Sequence, residues 1–305
     1  MTLALPTQVK VLVRDWLSSN NVLLHDGDDA VLVDTGYVRH ASLTRSLLTT
    51  DAMLGDAPLA RIVNTHCHSD HMGGNASIAR AYRCPVAIPE GEVPLIEAWD
   101  ETALLLDYAD QSAERFAVDE TIRAGSTHRW GGLDWEAIAA PGHDMGALCF
   151  FNRDHGILIS GDALWRNGFG FVMPREVDPA ALPATRATLD VLSRLPVRVV
   201  IPGHGDPFDD VDDALRLAYA RLQAYEGDPQ RAARHALKVV LMFKLLDCRR
   251  LPLEGMAGYV ERVGLYRDFN AMFLGMTPQA LADSLVGDLV RAGAVRRESG
   301  FVVPA

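Results

Sequence analysis

The 305-residue sequence predicts an α/β protein, and three observations carry that expectation. Short apolar runs near the start, separated by turn residues, read as a meander of antiparallel strands. Between residues 61 and 89 the pattern becomes strand, polar loop, helix, strand. Side chains able to bind metals repeatedly follow apolar runs, which is where α/β proteins place functional groups, at the carboxyl ends of strands.

Taken in order, Val9, Val11 and Val13 alternate with polar or larger residues. Residues 21–24 and 30–33 flank the turn-rich His25-Asp26-Gly27-Asp28-Asp29. The second run ends in Val33-Asp34-Thr35-Gly36, where an acidic side chain meets a tight turn. Asp34 there is either a turn former or a support for the histidine loop that comes later. A helix is expected over residues 41–50, a strand over 61–64, a helix over 76–82 and a short buried strand over 85–89. Helical stretches at 93–99 and 102–116 read first as a surface pair, with a pocket wall as the alternative. Strand signals return over 121–140, with Gly131-Gly132 as a hairpin turn.

The densest chemistry lies in residues 64–74, where His66, His68, Asp70 and His71 fall within six positions. Two histidines one residue apart point the same way off an extended segment, and the Asp-His pair follows at the turn. One loop can therefore present two ligand groups. A lone histidine is more often satisfied by hydrogen bonds, but this density in a chain with ten histidines reverses the odds. Strand alternation turns Cys67 to the opposite face, so it is expected to be packed and not coordinating.

Three further strand ends each deliver one residue of ligand type. They are His143 in Pro141-Gly142-His143-Asp144, Asp162 in Ile159-Ser160-Gly161-Asp162-Ala163, and His204 in Val200-Ile201-Pro202-Gly203-His204-Gly205. Singly, each is more often a turn residue. Together with the first loop they make seven, and metal binding becomes the stronger reading.

Composition is that of a soluble globular protein, 49% hydrophobic and 23% charged. No apolar run approaches the roughly 18 residues of a membrane span, and residues 1–8 lack the basic flank of an export signal. Cys67, Cys84, Cys149 and Cys248 have no CxxC spacing and fit free thiols in a reducing cytoplasm. The net charge of −11 is uneven: residues 215–305 hold 13 Lys and Arg against 9 Asp and Glu, leaving 16 against 31 for residues 1–214. The acidic part carries the histidine loop, which argues against a long polyphosphate substrate steered by a basic surface but leaves room for a local basic pocket.

Residues 212–225 and 230–246 have helical periodicity, and 255–274 is helical with interruptions. Thr277-Pro278 starts a helix that runs to about residue 291, with Gly293 as its stop. Residues 294–297 and 301–303 form a hairpin around Glu298-Ser299-Gly300. The expected division is therefore 1–210, carrying the histidine loop and the three strand-end residues, and 211–305, a mainly helical segment.

The His66-Cys67-His68-Ser69-Asp70-His71 motif, followed in order by His143, Asp162 and His204, resembles the metallo-β-lactamase superfamily over roughly residues 8–210. Val33-Asp34-Thr35-Gly36 is similar to its early strand motif. The resemblance implies an αββα sandwich, two mixed sheets face to face with helices outside, and makes residues 1–210 the catalytic domain. It places a first metal on His66, His68 and His143 and a second on Asp70, His71 and His204, with Asp162 bridging. Two divalent ions are implied, zinc first and iron or manganese compatible. The resemblance further implies that two such ions would supply an activated hydroxide for attack on an ester, thioester or lactone carbonyl, with Asp70 beside it as the catalytic residue.

Branch-specific departures narrow that expectation. Zinc β-lactamases generally have Cys or Ser at the Asp162 position and a secretory signal, so antibiotic hydrolysis is not expected. Oxygen-reducing diiron flavoproteins replace the second motif histidine with Glu, whereas His68 is intact. Glyoxalase II-like thioesterases share the ligand set, although their C-terminal glutathione-binding basic cluster is not recognisable. Persulfide dioxygenases, similar in motif, hold one iron through the equivalents of His66, His143 and Asp162, and remain the oxidoreductase alternative. Phosphodiester or RNA hydrolysis is the third reading, because residues 211–305 resemble the winged-helix-like extension of some superfamily hydrolases. Their balance of +4 is weak for nucleic acid, and a packing, pocket-closing or homodimer-forming role is expected for them. A small-molecule substrate is favoured, approached past Tyr37, Trp165, Phe169 and Phe171.

Overall fold

The computed structural model describes residues 5–27 and 30–305. Asp28 and Asp29 of the first expected turn, and residues 1–4, lie outside the described residues. Six strands form the first sheet in sequence order: β1 (Val9–Leu12), β2 (Asn21–His25), β3 (Ala30–Val33), β4 (Arg61–Val63), β5 (Val86–Pro89) and β6 (Glu120–Ile122). The first three pair antiparallel, with Val11 opposite Val22 and Leu23 opposite Leu32. From β3 onward the pairing is parallel, Leu32 beside Ile62. Parallel neighbours need crossovers, and α1 (Ala41–Leu48), α2 (Ser69–Met72), α3 (Asn75–Tyr82) and α4 (Val93–Ala98) lie on those connections.

The second sheet has the order β11-β10-β9-β8-β7, built from β7 (Thr127–Trp130), β8 (Leu133–Ala139), β9 (Leu148–Asn152), β10 (Ile157–Gly161) and β11 (Val199–Pro202). Gly131 and Gly132, at φ 53° and 71°, close the β7–β8 hairpin as expected. Only the β10–β11 pair is parallel among these strands, and α5 (Ala181–Leu192) makes its crossover.

Period-two alternation divides the strand residues between two buried faces. Leu24, Val31 and Val33 point inward and meet Trp135, Phe150, Ile159 and Ile201 of the opposing sheet. Leu23 and Leu32 point outward beneath Leu48 of α1 and Ile78 of α3. On the far side Phe151, Leu158 and Val200 are covered by Leu182 and Leu189 of α5 and by Leu215 and Leu222 of α6 (Val211–Gly227). The central strands, such as β3, β5, β9 and β10, are thus buried on both faces, which is why they read as continuous apolar runs, whereas β6 and β7 at the sheet edges are partly exposed. Each large side chain so buried contributes about 1.5–3 kcal/mol. This is the αββα sandwich.

One expected helix is absent. Residues 101–110 form successive turns, and Leu105 and Asp110 adopt positive φ of 59° and 53°. Leu104 and Leu106 pack under the first sheet's helices, whereas Leu105 and Ala109 pack on the C-terminal helices. A regular helix has one apolar stripe and cannot serve two cores at alternating positions.

After α6 come α7 (Pro229–Cys248), the short strand β12 (Leu251–Pro252), α8 (Met256–Arg262), α9 (Gly264–Phe269), a π turn over Asn270–Leu274 and α10 (Pro278–Arg291). Thr277 caps α10 by accepting from Ala280 N–H at 3.3 Å, and Gly293 follows its end at φ 69°. Strands β13 (Val295–Glu298) and β14 (Phe301–Pro304) form the expected hairpin, and β12 joins β14 as an unforeseen third strand. Leu237, Leu241 and Leu245 of α7 anchor this group through Tyr266, Phe269 and Leu285. No helix among the described residues is long and apolar enough to cross a membrane.

Candidate metal centre

The histidine loop starts where β4 ends, at the rim of the first sheet. Asp34, at the end of β3, holds it in place. Its Oδ1 accepts from Thr65 N–H at 2.9 Å, and its Oδ2 accepts from Thr65 Oγ1–H and His71 Nδ1–H, both at 2.8 Å. A carboxylate can only accept here, so a proton sits on His71 Nδ1 and Nε2 is the atom turned to the site. Asp34 has φ 57°, a left-handed conformation that Asp and Asn tolerate better than most residues. Asp34 therefore supports the loop, the second of the two roles expected for it. The same logic orients His66, whose Nδ1 lies 3.1 Å from Thr65 Oγ1, and His143, whose Nδ1–H donates to the Phe171 carbonyl.

The structure brings all seven sequence-predicted residues together. His66, His68 and His143 form one group, His66, His71 and Asp162 a second, and Asp70, His71 and His204 a third, with the ligand atoms of each group within 4.8 Å of one another. His68 Nδ1 is 2.8 Å from His143 Nε2. His204 Nε2–H donates to Asp70 Oδ2 at 2.9 Å. Asp162 lies between, with Oδ2 3.4 Å from His143 Nε2 and Oδ1 3.3 Å from His71 Nε2. Trp165 Nε1–H donates to Asp162 Oδ1 at 3.3 Å.

The fit of a cation to this arrangement rests on its buried lone pairs. His66 Nε2 and His71 Nε2 are both buried without a hydrogen-bond partner, and leaving such atoms unmatched costs about 1–3 kcal/mol each. Asp70 and Asp162 are carboxylates at 6% exposure in the same space. Imidazole and carboxylate donors crowded this closely match a divalent metal.

With no cation counted, the same residues balance one another's charge. Burial, reinforced by His71, His68 and His143, pushes the His66 pKa well below 6.5, and burial with His143 brings His68 to about 4. Burial also opposes charge on His71, but Asp34, Asp162 and Asp70 outweigh it and hold its pKa well above 6.5. For Asp162, burial is outweighed by His71 and His204, and its pKa falls well below the usual carboxylate range. Asp70 is lowered in the same way, by His71 and by the hydrogen bond from His204.

Two glycines let the walls close on the cluster. A Cβ on Gly203 would lie 2.2 Å from Asp162 Oδ1 and 2.9 Å from His71 Cε1; one on Gly170 would lie 2.8 Å from His143 Nδ1. Asn20, which the sequence did not single out, ties the His204 loop down by donating Nδ2–H to the carbonyls of Pro202 (2.9 Å) and Gly205 (2.7 Å). Cys67 is fully buried beneath the first sheet's helices, and burial pushes its thiol well up. It is packed, as expected.

Above the cluster is an apolar cavity of about 90 Å³ lined by Leu104, Leu105, Phe171, Trp165, Val239 and Phe243. Residues 102–116 thus supply a pocket wall, the alternative to the surface pair expected for them. Trp165 and Phe171 line the approach as expected. Tyr37 and Phe169 do not; both are about 1% exposed, and Phe169 packs in the core beside the second sheet. The sequence marks Val239 and Phe243 of α7 only as part of a helix. Their signal is a pair of apolar residues off the main Leu237-Leu241-Leu245 stripe.

An αββα sandwich with a His/Asp cluster at one edge of its sheets defines the class, and the chain belongs to the metallo-beta-lactamase superfamily, whose family model matches residues 14–204. A hydroxyacylglutathione hydrolase of Polaromonas sp. strain JS666 is 31% identical over 182 residues, 59% of this chain and 57% of that one. The thioesterase pkgB of Emericella nidulans is 25% identical over 62% of this chain and 46% of its own length. The chain therefore spans about half the length of these curated relatives. A metallo-beta-lactamase family protein from Thermus thermophilus shares the fold, with a TM-score of 0.56 at 20% identity over 99% of this chain and 100% of that one.

Proposed function

We propose that the protein is a dinuclear metal-dependent hydrolase acting on an ester, thioester or lactone, with a thioester as the foremost candidate. The observation that carries this reading is the pair of unpartnered buried nitrogens, His66 Nε2 and His71 Nε2, facing the carboxylate of Asp162. His66, His68 and His143 would hold one divalent ion, Asp70, His71 and His204 the other, and Asp162 both. Zinc suits the donor set best, and iron or manganese also fit it. When bound, the ions supply Lewis acidity, lowering the pKa of water and polarising the substrate carbonyl.

The chain's own residues do the rest. Asp34 and Thr65 hold the Nδ1 atoms of His71 and His66, so that the Nε2 atoms face the cluster. Asp70, the proposed catalytic residue, lines the cavity floor with Oδ2 held by His204 and can orient an attacking water. Leu104, Trp165, Phe171 and Phe243 exclude bulk water and fit an apolar acyl or aryl group better than a sugar or phosphate. Ser69 and Gln111, joined by a hydrogen bond from Ser69 Oγ–H to Gln111 Oε1 at 3.4 Å, are uncharged polar residues on that wall and can meet a heteroatom of the substrate. Residues 211–305 form the C-terminal segment, whose helix α7 closes the pocket.

The relatives named as a hydroxyacylglutathione hydrolase and a thioesterase support the same chemistry. The test is turnover of a short-chain acyl thioester by purified protein before chelation, after chelation and after reloading with zinc, iron or manganese. Hydrolysis that disappears with the metal and returns with it is expected. Undiminished hydrolysis by thoroughly chelated protein would contradict the reading.

A further inference from the structure

The apolar cavity over the His/Asp cluster does not end there. Trp165, Phe171, His204, Val239 and Phe243 also border a second cavity of about 360 Å³, which extends along α7 to His235 and Arg221. Arg221 and His235 then border a third space, an open groove of about 640 Å³ between α6 and α7. Sharing lining residues, the three adjoin in series from the cluster outward.

The groove is basic. Arg221 of α6 and Arg231, Arg234 and Lys238 of α7 line it, against a single lining carboxylate, Asp228. Asp228 is engaged at the start of α7, where it accepts from Arg231 N–H at 3.0 Å. Arg234 and Lys238 share Asp288, at 2.9 and 3.9 Å. Arg221 donates to the Phe169 carbonyl at 3.0 Å and stacks 5.8 Å from the Phe169 ring, and neither it nor the Arg231 guanidinium has an acidic partner among the described residues. Four cations thus face two carboxylates in a chain whose net charge is −11. His235 adds no charge: burial, with Arg221, Lys238 and Arg231, lowers its pKa to about 4.

We propose that this groove binds the phosphate groups of the substrate's carrier, making the substrate an acyl thioester of the coenzyme A class. The inference rests on the thioester reading above and names its leaving group. Geometry supports it: at about 1.5 Å per residue, Arg231 lies roughly 12 Å along α7 from Val239 and roughly 18 Å from Phe243. Coenzyme A separates its thioester from its phosphates by a flexible, uncharged arm of that order. The intervening cavity is lined mainly by apolar side chains, among them Phe171, Val239, Met242 and Phe243, with Arg166, Asn167 and Asp206 also on its wall, and suits such an arm. A polynucleotide would carry a phosphate at each nucleotide into this stretch, where burying unpaired charge is costly. Arginine and lysine side chains at the far end match clustered phosphates through charge-assisted hydrogen bonds.

The reaction balances as a hydrolysis. Water oxygen forms a bond to the acyl carbon, the carbon–sulfur bond breaks, and sulfur leaves with a proton as the free thiol of the carrier. No oxidant or reductant is consumed.

The test uses the whole metal-loaded protein and the double variant R231E/K238E, with R231Q as a milder second change and circular dichroism to verify folding. Calorimetric titration with coenzyme A itself should show binding that weakens about tenfold or more in R231E/K238E. KM for a short-chain acyl coenzyme A should rise about tenfold more than KM for the same acyl group on N-acetylcysteamine, which lacks the phosphates. Equal changes in the two KM values, or no coenzyme A binding at millimolar concentration, would overturn the groove assignment while leaving a thioesterase intact. Charge-dependent binding without hydrolysis of either thioester would sustain the phosphate groove and remove the thioester reading. A short single-stranded RNA that binds through Arg231 and Lys238 and is not displaced by coenzyme A would overturn the assignment in favour of nucleic acid.

Discussion

Asp34 Oδ2 accepts the Nδ1 proton of His71 across 2.8 Å, and the backbone of Asp34 sits at φ 57° to make that possible. The strand end thereby sets which nitrogen of His71 faces the cluster. Asp34→Asn isolates this function, because Asn keeps the size and tolerates the left-handed backbone but offers an amide in place of one acceptor. Metal affinity should fall about 10–100-fold with little change in melting temperature. Competition against a chromophoric chelator measures the former, and equal affinity in the two proteins would show that Asp34 is only a turn former.

Gly203 makes a second, steric prediction. In Gly203→Ala the new Cβ would stand 2.2 Å from Asp162 Oδ1, so Asp162 or the His204 loop must move. A misplacement of about 1 Å can cost about 100-fold in rate. The variant should retain its far-ultraviolet circular dichroism while turnover on a thioester falls by about that factor. Full activity would mean that Asp162 is free to swing without consequence.

Glu92 supplies a pH dependence one contact removed from the cluster, since its neighbour Asp144 lies 3.6 Å from His68 Nε2. Glu92 itself is 2% exposed, and burial together with Asp144 raises its pKa to about 9 from an ordinary 4.5. A buried acid with a raised folded pKa stays protonated while the unfolded chain releases its proton. The unfolded state therefore binds fewer protons, and this residue's contribution to stability falls as pH rises from about 4.5 toward 9. Glu92→Gln removes the titration and keeps the shape. Urea midpoints at pH 5 and pH 8 should drop less between the two values in the variant than in the natural protein. A parallel drop would indicate that Glu92 does not titrate in this window.

These residues also show what the sequence can carry. His66, His68, Asp70 and His71 lie on one loop, so local alternation is enough to propose two ligand groups. His143, Asp162 and His204 come from separate strand ends, and the packing of one sheet on the other brings them to that loop. The failure at residues 102–116 has a physical cause: Leu104 and Leu106 serve one core and Leu105 another, so the apolar spacing imitates a helix that positive φ at Leu105 and Asp110 interrupts. Arg231, Arg234 and Lys238 are spaced i, i+3, i+7 and would lie on one face of any helix, a pattern the overall balance of charge conceals. What they face depends on Arg221 across the α6–α7 pair, and no local pattern records that.

The most direct test of the central claim is metal stoichiometry. Inductively coupled plasma mass spectrometry of the protein, chelated, reloaded with zinc and desalted, should give two equivalents per chain. His204→Ala, which removes one of the four residues proposed for the second ion and none of those proposed for the first, should give about one, with thioester turnover lost by orders of magnitude. A folded His204→Ala protein that retains the natural metal content and near-full hydrolysis would contradict the dinuclear account.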